Sequence, residues 1–331
     1  MRRRSALPSA TRLGRRLLAA GLSLLLFCRV ATAHAAPLDA DAGQAQPSAS
    51  GKVEHHGFLW EARKGERHAL LMGTMHVGVA SDYPPDRSTR QRLASVDAIA
   101  LEADISQADQ SAAALMARAQ LPEGEAGLDA RLDAGLKSDI QRALQSLGVP
   151  AELAWRMKPW ALGDTLVVLQ AARLGFSPDH STEAYLASLA ASNGKPIVEL
   201  EGIEAQFELL DSQPWPEQVD ALRQAVGSIL DGQAEQELRA LVAAWRASDV
   251  SAMQEYLQRV RASPDPAERR QFERLITARN ATMTDKIDRM LGDGRFYLVA
   301  VGSLHFFGAD GLVPALKARG YTVTPLVPAT D

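Results

Sequence analysis

The chain almost lacks cysteine, because only one of its 331 residues, Cys28, is of this type. A single cysteine cannot form an internal disulfide bond. Cys28 also lies in an N-terminal segment that we predict to be removed on export. The processed chain would therefore have no disulfide, no catalytic thiol and no cysteine ligand for zinc.

Basic residues are also scarce once this segment is removed. Residues 1–35 hold seven of the 36 basic residues and none of the 40 acidic ones, so the remaining chain has a net charge of −11. Phosphate binding needs a basic surface, and this charge therefore argues against nucleic acid as a partner and against docking on anionic lipid.

Several motifs of common enzyme classes are missing. The chain contains no Gly-x-Ser-x-Gly nucleophile elbow, no Walker loop, no Gly-x-Gly-x-x-Gly fingerprint and no His-Glu-x-x-His helix. Phosphate and dinucleotide chemistry therefore lack support, and no residue is predicted to bind a nucleotide cofactor.

Residues 1–35 are typical of an export signal. An arginine-rich start precedes an apolar stretch from Leu17 to Cys28, and Ala33-His34-Ala35 forms an Ala-x-Ala cleavage site. The apolar stretch is too short to span a bilayer; an uncleaved membrane anchor is the alternative. We expect a periplasmic or secreted protein without stable membrane insertion after cleavage.

The remaining chain is predicted to hold a disordered spacer at 36–52, which is rich in small and polar residues, and a single domain at 53–331. Short apolar segments predict strands, and long helical patterns at about 106–174 and 204–291 predict helical insertions. Two further helices are predicted, one at 181–192 with Ser181 as N-cap and Gly194 just past its end, and one from Asp310 to Arg319. We therefore expect an α/β fold with a central mixed, mostly parallel sheet. The predicted strands lie at 58–62, 68–72, 97–101, 196–200, 296–301 and 321–326, and Pro325 favours an edge position for the last of them.

Two of the predicted strands end in the same motif, Gly-x-x-His. The first motif ends at His76 and the second at His305. In an open α/β sheet, ligands bind outside the carboxyl ends of the strands, so two strands of one sheet could bring both imidazoles into one crevice. Two structural histidines at strand ends are the alternative.

Two glutamates, Glu102 and Glu201, follow predicted strands in the same way. Two imidazoles and two carboxylates suit Zn, Mn, Co or Fe(II) better than Ca or Mg. We therefore predict His76, His305, Glu102 and Glu201 as ligands of one divalent metal, which would activate a water. A carboxylate that is not a ligand could act as general base. The alternative for each glutamate is a helix N-cap or a solvated loop charge.

Further motifs accompany these residues. They are Lys158-Pro159-Trp160, the segment 194–201 followed by Gln206, and Arg279-Asn280 with Met283. In order and spacing, from about residue 57 to 327, the whole set resembles the TraB/GumN family, which includes the Tiki-type metalloproteases that inactivate Wnt proteins.

The resemblance implies a fold related to the erythromycin-esterase and ChaN-like group. It also implies divalent-metal-dependent peptide cleavage, as in the Tiki branch, with the two histidines and the glutamates essential. Arg279, which the helical pattern alone would place on the surface, is implied to orient a site carboxylate or to bind a substrate carbonyl. Glu183 departs from the family pattern, because many members have aspartate there.

Two functions of different classes are open at this point. One is an exported metal-dependent hydrolase, expected to be a peptidase, that acts on peptides or small molecules with Glu102, Glu201 and Arg279 as catalytic residues. The other is a non-catalytic metal- or ligand-binding periplasmic protein, accessory to cell-surface polysaccharide export. The acidic chain predicts neutral or basic peptides as the better substrates.

Overall fold

The computed structural model describes residues 57–326. The predicted signal peptide at 1–35 and the predicted spacer at 36–52 lie outside the described residues. Within the described range, no helix combines the length and the apolar character needed to cross a membrane.

A six-stranded mixed sheet forms the centre of the molecule, with the strand order β4-β3-β5-β2-β1-β6. β2, β5, β3 and β4 run parallel, whereas β1 pairs antiparallel with β2 and with β6. The predicted α/β fold is confirmed, and β6 lies at an edge, as Pro325 requires. The strands are β1 (Phe58–Lys64), β2 (Arg67–Thr74), β3 (Ala98–Leu101), β4 (Ile197–Glu199), β5 (Tyr297–Gly302) and β6 (Thr322–Pro325).

Helices occupy both segments in which the sequence predicts insertions. In the described residues the α-helices are α1 (Arg87–Ser95), α2 (Ala108–Ala119), α3 (Ala134–Ser146), α4 (Pro159–Arg173), α5 (Thr182–Asn193), α6 (Ile203–Asp211), α7 (Trp215–Leu230), α8 (Gln233–Ala247), α9 (Val250–Arg261), α10 (Pro266–Phe272), α11 (Ala278–Met290) and α12 (Leu312–Ala318). A π-helical turn, Glu273–Thr277, joins α10 to α11.

Local capping explains where helix α5 begins and ends. The hydroxyl of Ser181 accepts a hydrogen bond from the N–H of Ala184, and Gly194 ends the helix with a φ of +61°. Both positions follow the prediction from the sequence. Helix α12 begins at Leu312 rather than at the predicted Asp310, because Gly311 takes the N-cap position with extended backbone.

Helices cover both faces of the sheet, so the parallel strands are apolar on both sides. On one face, Leu93 of α1 and Leu186 of α5 are buried in a cluster with strand residues Leu70, Ile99 and Leu298. The opposite face, which includes Leu71 and Val299, packs against helices of the second insertion. A further cluster, formed mainly by α3, α4 and α7, gives the helical layer a core of its own. The carboxyl ends of β2, β3 and β5 are thus enclosed between helices.

Candidate functional site

The two Gly-x-x-His motifs lie side by side, because β2 and β5 are parallel neighbours with Thr74 opposite Gly302. Each glycine makes room for the other motif. A Cβ atom at Gly73 would lie 2.8 Å from Oγ of Ser303, and one at Gly302 would lie 3.1 Å from Nε2 of His76. The motif therefore needs glycine so that the two strand ends can approach closely.

Gly302 lies at the centre of the site. The same Cβ position there is 3.2 Å from Oε1 of Glu102 and 3.6 Å from Cδ2 of His305. The backbone N–H of Gly302 also donates a 2.7 Å hydrogen bond to Oε1 of Glu102. His76, Glu102 and His305 are 3%, 7% and 0% exposed. The structure thus places three of the four predicted ligands around the position that a side chain at residue 302 would occupy.

The hydrogen bonds of the sheet bring the two glutamates together. The N–H of Leu200 donates to the carbonyl of Leu101, and the N–H of Glu201 donates to the carbonyl of Glu102 at 2.9 Å. The parallel ladder of β3 and β4 therefore continues past the last strand residues. Glu201 does not cap the next helix, since Gly202 takes the N-cap position of α6.

Asn280 fixes the orientation of the His305 ring. Its side-chain Nδ2 donates to the carbonyl of Asp310 at 2.8 Å, and its Oδ1 lies 2.6 Å from Nδ1 of His305. Because an amide oxygen only accepts, Nδ1 of His305 donates to it and Nε2 keeps a free lone pair. Nε2 is buried and has no hydrogen-bond partner among the described residues.

Burial keeps the His305 ring neutral. It lowers the pKa of His305 to about 3, and the positive charges of Arg279 and His76 act in the same direction. A neutral imidazole with an inward-facing lone pair is the form in which histidine binds a metal.

His76 pairs with a buried carboxylate on its other side. Its Nδ1 lies 2.7 Å from Oε1 of Glu183, which belongs to α5. Burial by itself would lower the pKa of His76, but the charges of Glu183 and Glu102 outweigh burial and raise this pKa. The pKa of Glu183 is lowered, because His76 outweighs the opposing effect of burial. The residue that departs from the family pattern is thus the partner of the first motif histidine.

Arg279 joins the two glutamates. It is only 8% exposed, so the surface position that the helical pattern suggests is wrong. Its Nε donates to Oε1 of Glu201 at 2.8 Å, and its Nη2 contacts Oε2 of both Glu201 and Glu102. Gln206 adds a donor, with Nε2 lying 3.2 Å from Oε2 of each glutamate.

The π-helical turn before α11 lies next to these contacts. Nη1 of Arg279 donates to the carbonyl of Leu275, within this turn, at 2.8 Å. Arg279 and Asn280 are adjacent in sequence and both buried, yet one contacts the glutamates and the other His305. Turns of this type frequently occur at functional sites.

The site holds more negative than positive charge. Burial by itself would raise the pKa of Glu102, but the charges of Arg279 and His76 and the hydrogen bond from the N–H of Gly302 outweigh it and hold this pKa well below its usual range. Glu102, Glu183 and Glu201 form ion pairs here, whereas Arg279 is the only arginine in these pairs. Buried charge is costly unless it is balanced. Three carboxylates against one guanidinium leave two excess negative charges; a proton on His76 would offset one of them, and a divalent metal ion would offset both.

The type and arrangement of the possible ligand atoms can be compared with those of known kinds of metal site. In the described part of the chain, no group of three or more His, Cys, Asp or Glu side chains already has the arrangement of a metal centre. However, Nε2 of His305 is buried without a partner among residues 57–326, and Nε2 of His76 and Oε1 of Glu102 lie around the space next to Gly302, which has no side chain. Two imidazoles and one carboxylate fit a divalent transition metal. Both carboxylate oxygens of Glu201 instead accept hydrogen bonds from Arg279.

An α/β sheet with paired Gly-x-x-His motifs and a buried arginine–glutamate network defines the class of protein. A model of the TraB/PrgY/gumN family matches residues 58–325, and the chain belongs to this family. The resemblance inferred from the motifs is thereby confirmed.

Two bacterial relatives match over most of their length. The proteins named "Uncharacterized protein YbaP" in Shigella flexneri and in Escherichia coli (strain K12) are each 26% identical to this chain over 266 residues, which cover 76% of this chain and 89% of the relative. Neither name states an activity. No solved structure matches this chain.

Proposed function

We propose that this protein is an exported, divalent-metal-dependent hydrolase whose metal is held by His76, His305 and Glu102, and that peptides are its substrates. The observation that carries the proposal is the convergence of these three side chains on Gly302. The unpartnered Nε2 of His305 and the excess of buried carboxylates support it. Mn, Co, Zn and Fe(II) remain the candidate metals.

A divalent metal, when bound, supplies Lewis-acid activation of water and of a substrate carbonyl. The chain's own groups prepare the site for it. Asn280 holds His305 with its lone pair inward, and Glu183 contacts Nδ1 of His76 so that Nε2 faces Gly302. Such partners of ligating histidines fix the ring orientation and raise the ligand's basicity.

Arg279 and Glu201 have a different role in this proposal. Arg279 contacts Oε2 of Glu102, which leaves Oε1 directed towards Gly302. Its fork geometry also fixes the carboxylate of Glu201 beside that of Glu102. Glu201 is then the carboxylate that can act as general base on the reacting groups, while Arg279 holds it in a fixed orientation.

A non-catalytic protein on the same scaffold is the second candidate. The observation that favours it is the guanidinium of Arg279, which already contacts both glutamates and weakens the attraction of Glu102 for a second cation. In this case the site would bind a metal or a small ligand without turnover, and the protein would serve as an accessory to cell-surface polysaccharide export.

A peptide-library digest separates the two candidates. The purified protein is incubated with neutral, basic and acidic peptides in the presence of Mn, Co or Zn, and His305→Ala is compared with His68→Ala. His68 is the second residue of β2, at the end away from the site, and pairs with Glu61 instead. We expect metal-dependent cleavage that survives His68→Ala and disappears in His305→Ala. Tight metal binding without turnover of peptides or esters would favour the binding protein, and cleavage that persists with a chelator would contradict metal dependence.

A further inference from the structure

A second concave site lies beside the segment that follows His305. It is a cavity of about 410 Å³ between α9, the 3₁₀ turn Ser303–Phe306 and the start of α12. This volume falls within the range of small-molecule binding sites. None of the residues that line it takes part in the proposed metal site.

Aromatic rings form the floor of this cavity. Trp60 and Phe306 stack with their ring centroids 5.0 Å apart, and Phe307 meets Trp60 edge-on at 5.8 Å. All three side chains are buried, and neighbouring Leu257 is buried as well. The floor is therefore apolar and held by packing, so a flat or aliphatic group can bind on it without reordering the rings.

Arg261 is the only charged residue among those that line the cavity, and Gln254 and Gln258 supply exposed amides beside it. The guanidinium of Arg261 lies 5.5 Å from the Phe272 ring centroid. On its other side, a Cβ atom at Gly308 would lie only 3.3 Å from Nη2. Arg261 is thus held in place at the edge of an apolar floor, and this arrangement suits an anion with an apolar body.

The present partner of Arg261 can be exchanged. Nη2 of Arg261 lies 3.1 Å from Oδ2 of Asp310, whose side chain is 56% exposed. Exposed ion pairs of this kind contribute little free energy. A ligand carboxylate that is shielded by the cavity can therefore replace Asp310 on the guanidinium at small cost.

We propose that this cavity binds a small carboxylic acid with an aromatic or aliphatic body. The body lies on Trp60 and Phe307, the carboxylate pairs with Arg261, and the amides of Gln254 and Gln258 donate to its oxygens. This site is distinct from the metal site and does not depend on the proposed hydrolase activity.

The cavity is connected to His305 through a short series of contacts. Arg261 pairs with the side chain of Asp310, the carbonyl of Asp310 accepts from Asn280, and Asn280 holds Nδ1 of His305. A ligand that draws Arg261 away from Asp310 acts on the same loop that orients the histidine. Ligand binding in the cavity can therefore affect the orientation of His305 in the proposed metal site.

Isothermal titration calorimetry with 3-phenylpropionate tests the proposal. The neutral 3-phenylpropionamide has the same shape and serves as the matched ligand, and a chelator is present so that a metal plays no part. We expect the acid to bind at least about tenfold more tightly than the amide, which is the size expected of one charge-assisted hydrogen bond. Arg261→Gln should abolish this difference, whereas Arg239→Gln, which removes an exposed arginine of the neighbouring helix α8, should preserve it.

A second variant tests the apolar part of the cavity without touching the core. Ala309 is exposed and lines the cavity, so we expect Ala309→Phe to fill the space from the rim and to leave the buried core unchanged. We expect this variant to lose binding of both ligands. Equal affinity for acid and amide, absence of binding at millimolar acid, or unchanged affinity in Arg261→Gln or in Ala309→Phe would each overturn the proposal.

Discussion

Nδ1 of His305 lies 2.6 Å from Oδ1 of Asn280, and this contact decides which nitrogen of the ring faces the site. The two residues come from different parts of the fold, α11 and the 3₁₀ turn that follows β5. Asn280 is itself fixed by its bond to the carbonyl of Asp310. The orientation of the histidine therefore depends on a residue that is not itself a proposed ligand.

Replacing Asn280 should weaken the site without removing a ligand. In Asn280→Leu the ring N–H of His305 loses its acceptor, and we expect metal affinity and peptide cleavage to fall about 10- to 100-fold. Asn280→Asp keeps an acceptor oxygen and should retain most of the metal affinity. Titration of both variants with Mn or Zn measures the effect; equal affinities in Asn280→Leu and the unchanged protein would contradict it.

The glycine at the centre of the site gives a second prediction. Gly302 has a φ of −47°, which any residue can adopt, but an added methyl group would crowd His76 and Glu102. Gly302→Ala should therefore fold yet lose most of its metal binding and cleavage. Gly227→Ala, in the interior of α7 with no atom near the added methyl, should keep full activity and gain about 0.5–1 kcal/mol of stability. Full activity in Gly302→Ala would show that this space is not used.

Arg279 should matter for folding as well as for function. Arg279→Leu leaves the buried carboxylate of Glu102 and the largely buried carboxylate of Glu201 without their cation, and we expect a loss of about 3–5 kcal/mol in the free energy of unfolding. Arg289→Leu replaces an exposed arginine of the same helix and should change stability by less than about 0.5 kcal/mol. Urea denaturation of the two variants measures the difference; similar stabilities would show that the network contributes nothing.

The raised pKa of Glu237, a residue outside the candidate site, predicts that the stability of the protein depends on pH. Burial raises its pKa to about 8; Arg259 opposes this shift, while Glu268 and Asp231 add to it. The carboxyl group of Glu237 therefore binds its proton more tightly in the folded protein than in the unfolded chain. The stabilisation is complete below the unfolded pKa and is lost as pH rises through the folded pKa.

Stability should accordingly fall as the pH rises from about 4.5 to about 8. This part of the pH dependence should be absent in Glu237→Gln. Thermal melting at several pH values within this window, with Glu235→Gln as a variant of the more exposed glutamate on the same helix, measures this contribution. Parallel melting-temperature profiles of the Glu237→Gln variant and the unchanged protein would contradict the prediction.

Local sequence signals predicted much of the fold. The strands before both histidines, the Ser181 and Gly194 ends of α5 and the edge position of β6 all follow from short patterns of apolar residues, caps and proline. These features depend on neighbours within a few residues, and a single sequence displays them directly.

The contacts of the site are less visible in the sequence because they join distant segments. Arg279 has the pattern of a surface arginine, but its glutamate partners lie 78 and 177 positions away. Glu183 lies 107 positions from His76, and no local pattern marks it as a partner. Asn280 is visible in the sequence only as the neighbour of Arg279 in the motif that also holds Met283, and the motif does not indicate its contact with His305.

Metal content tests the central claim most directly. The purified protein and the variants His76→Ala, His305→Ala and His68→Ala are incubated with Mn, Co, Zn and Fe(II), dialysed and analysed by mass spectrometry for bound metal. We predict about one ion per chain in the unchanged protein and in His68→Ala, and a loss of this ion in the other two variants. Equal metal content in all four proteins, or none in the unchanged protein, would contradict the account.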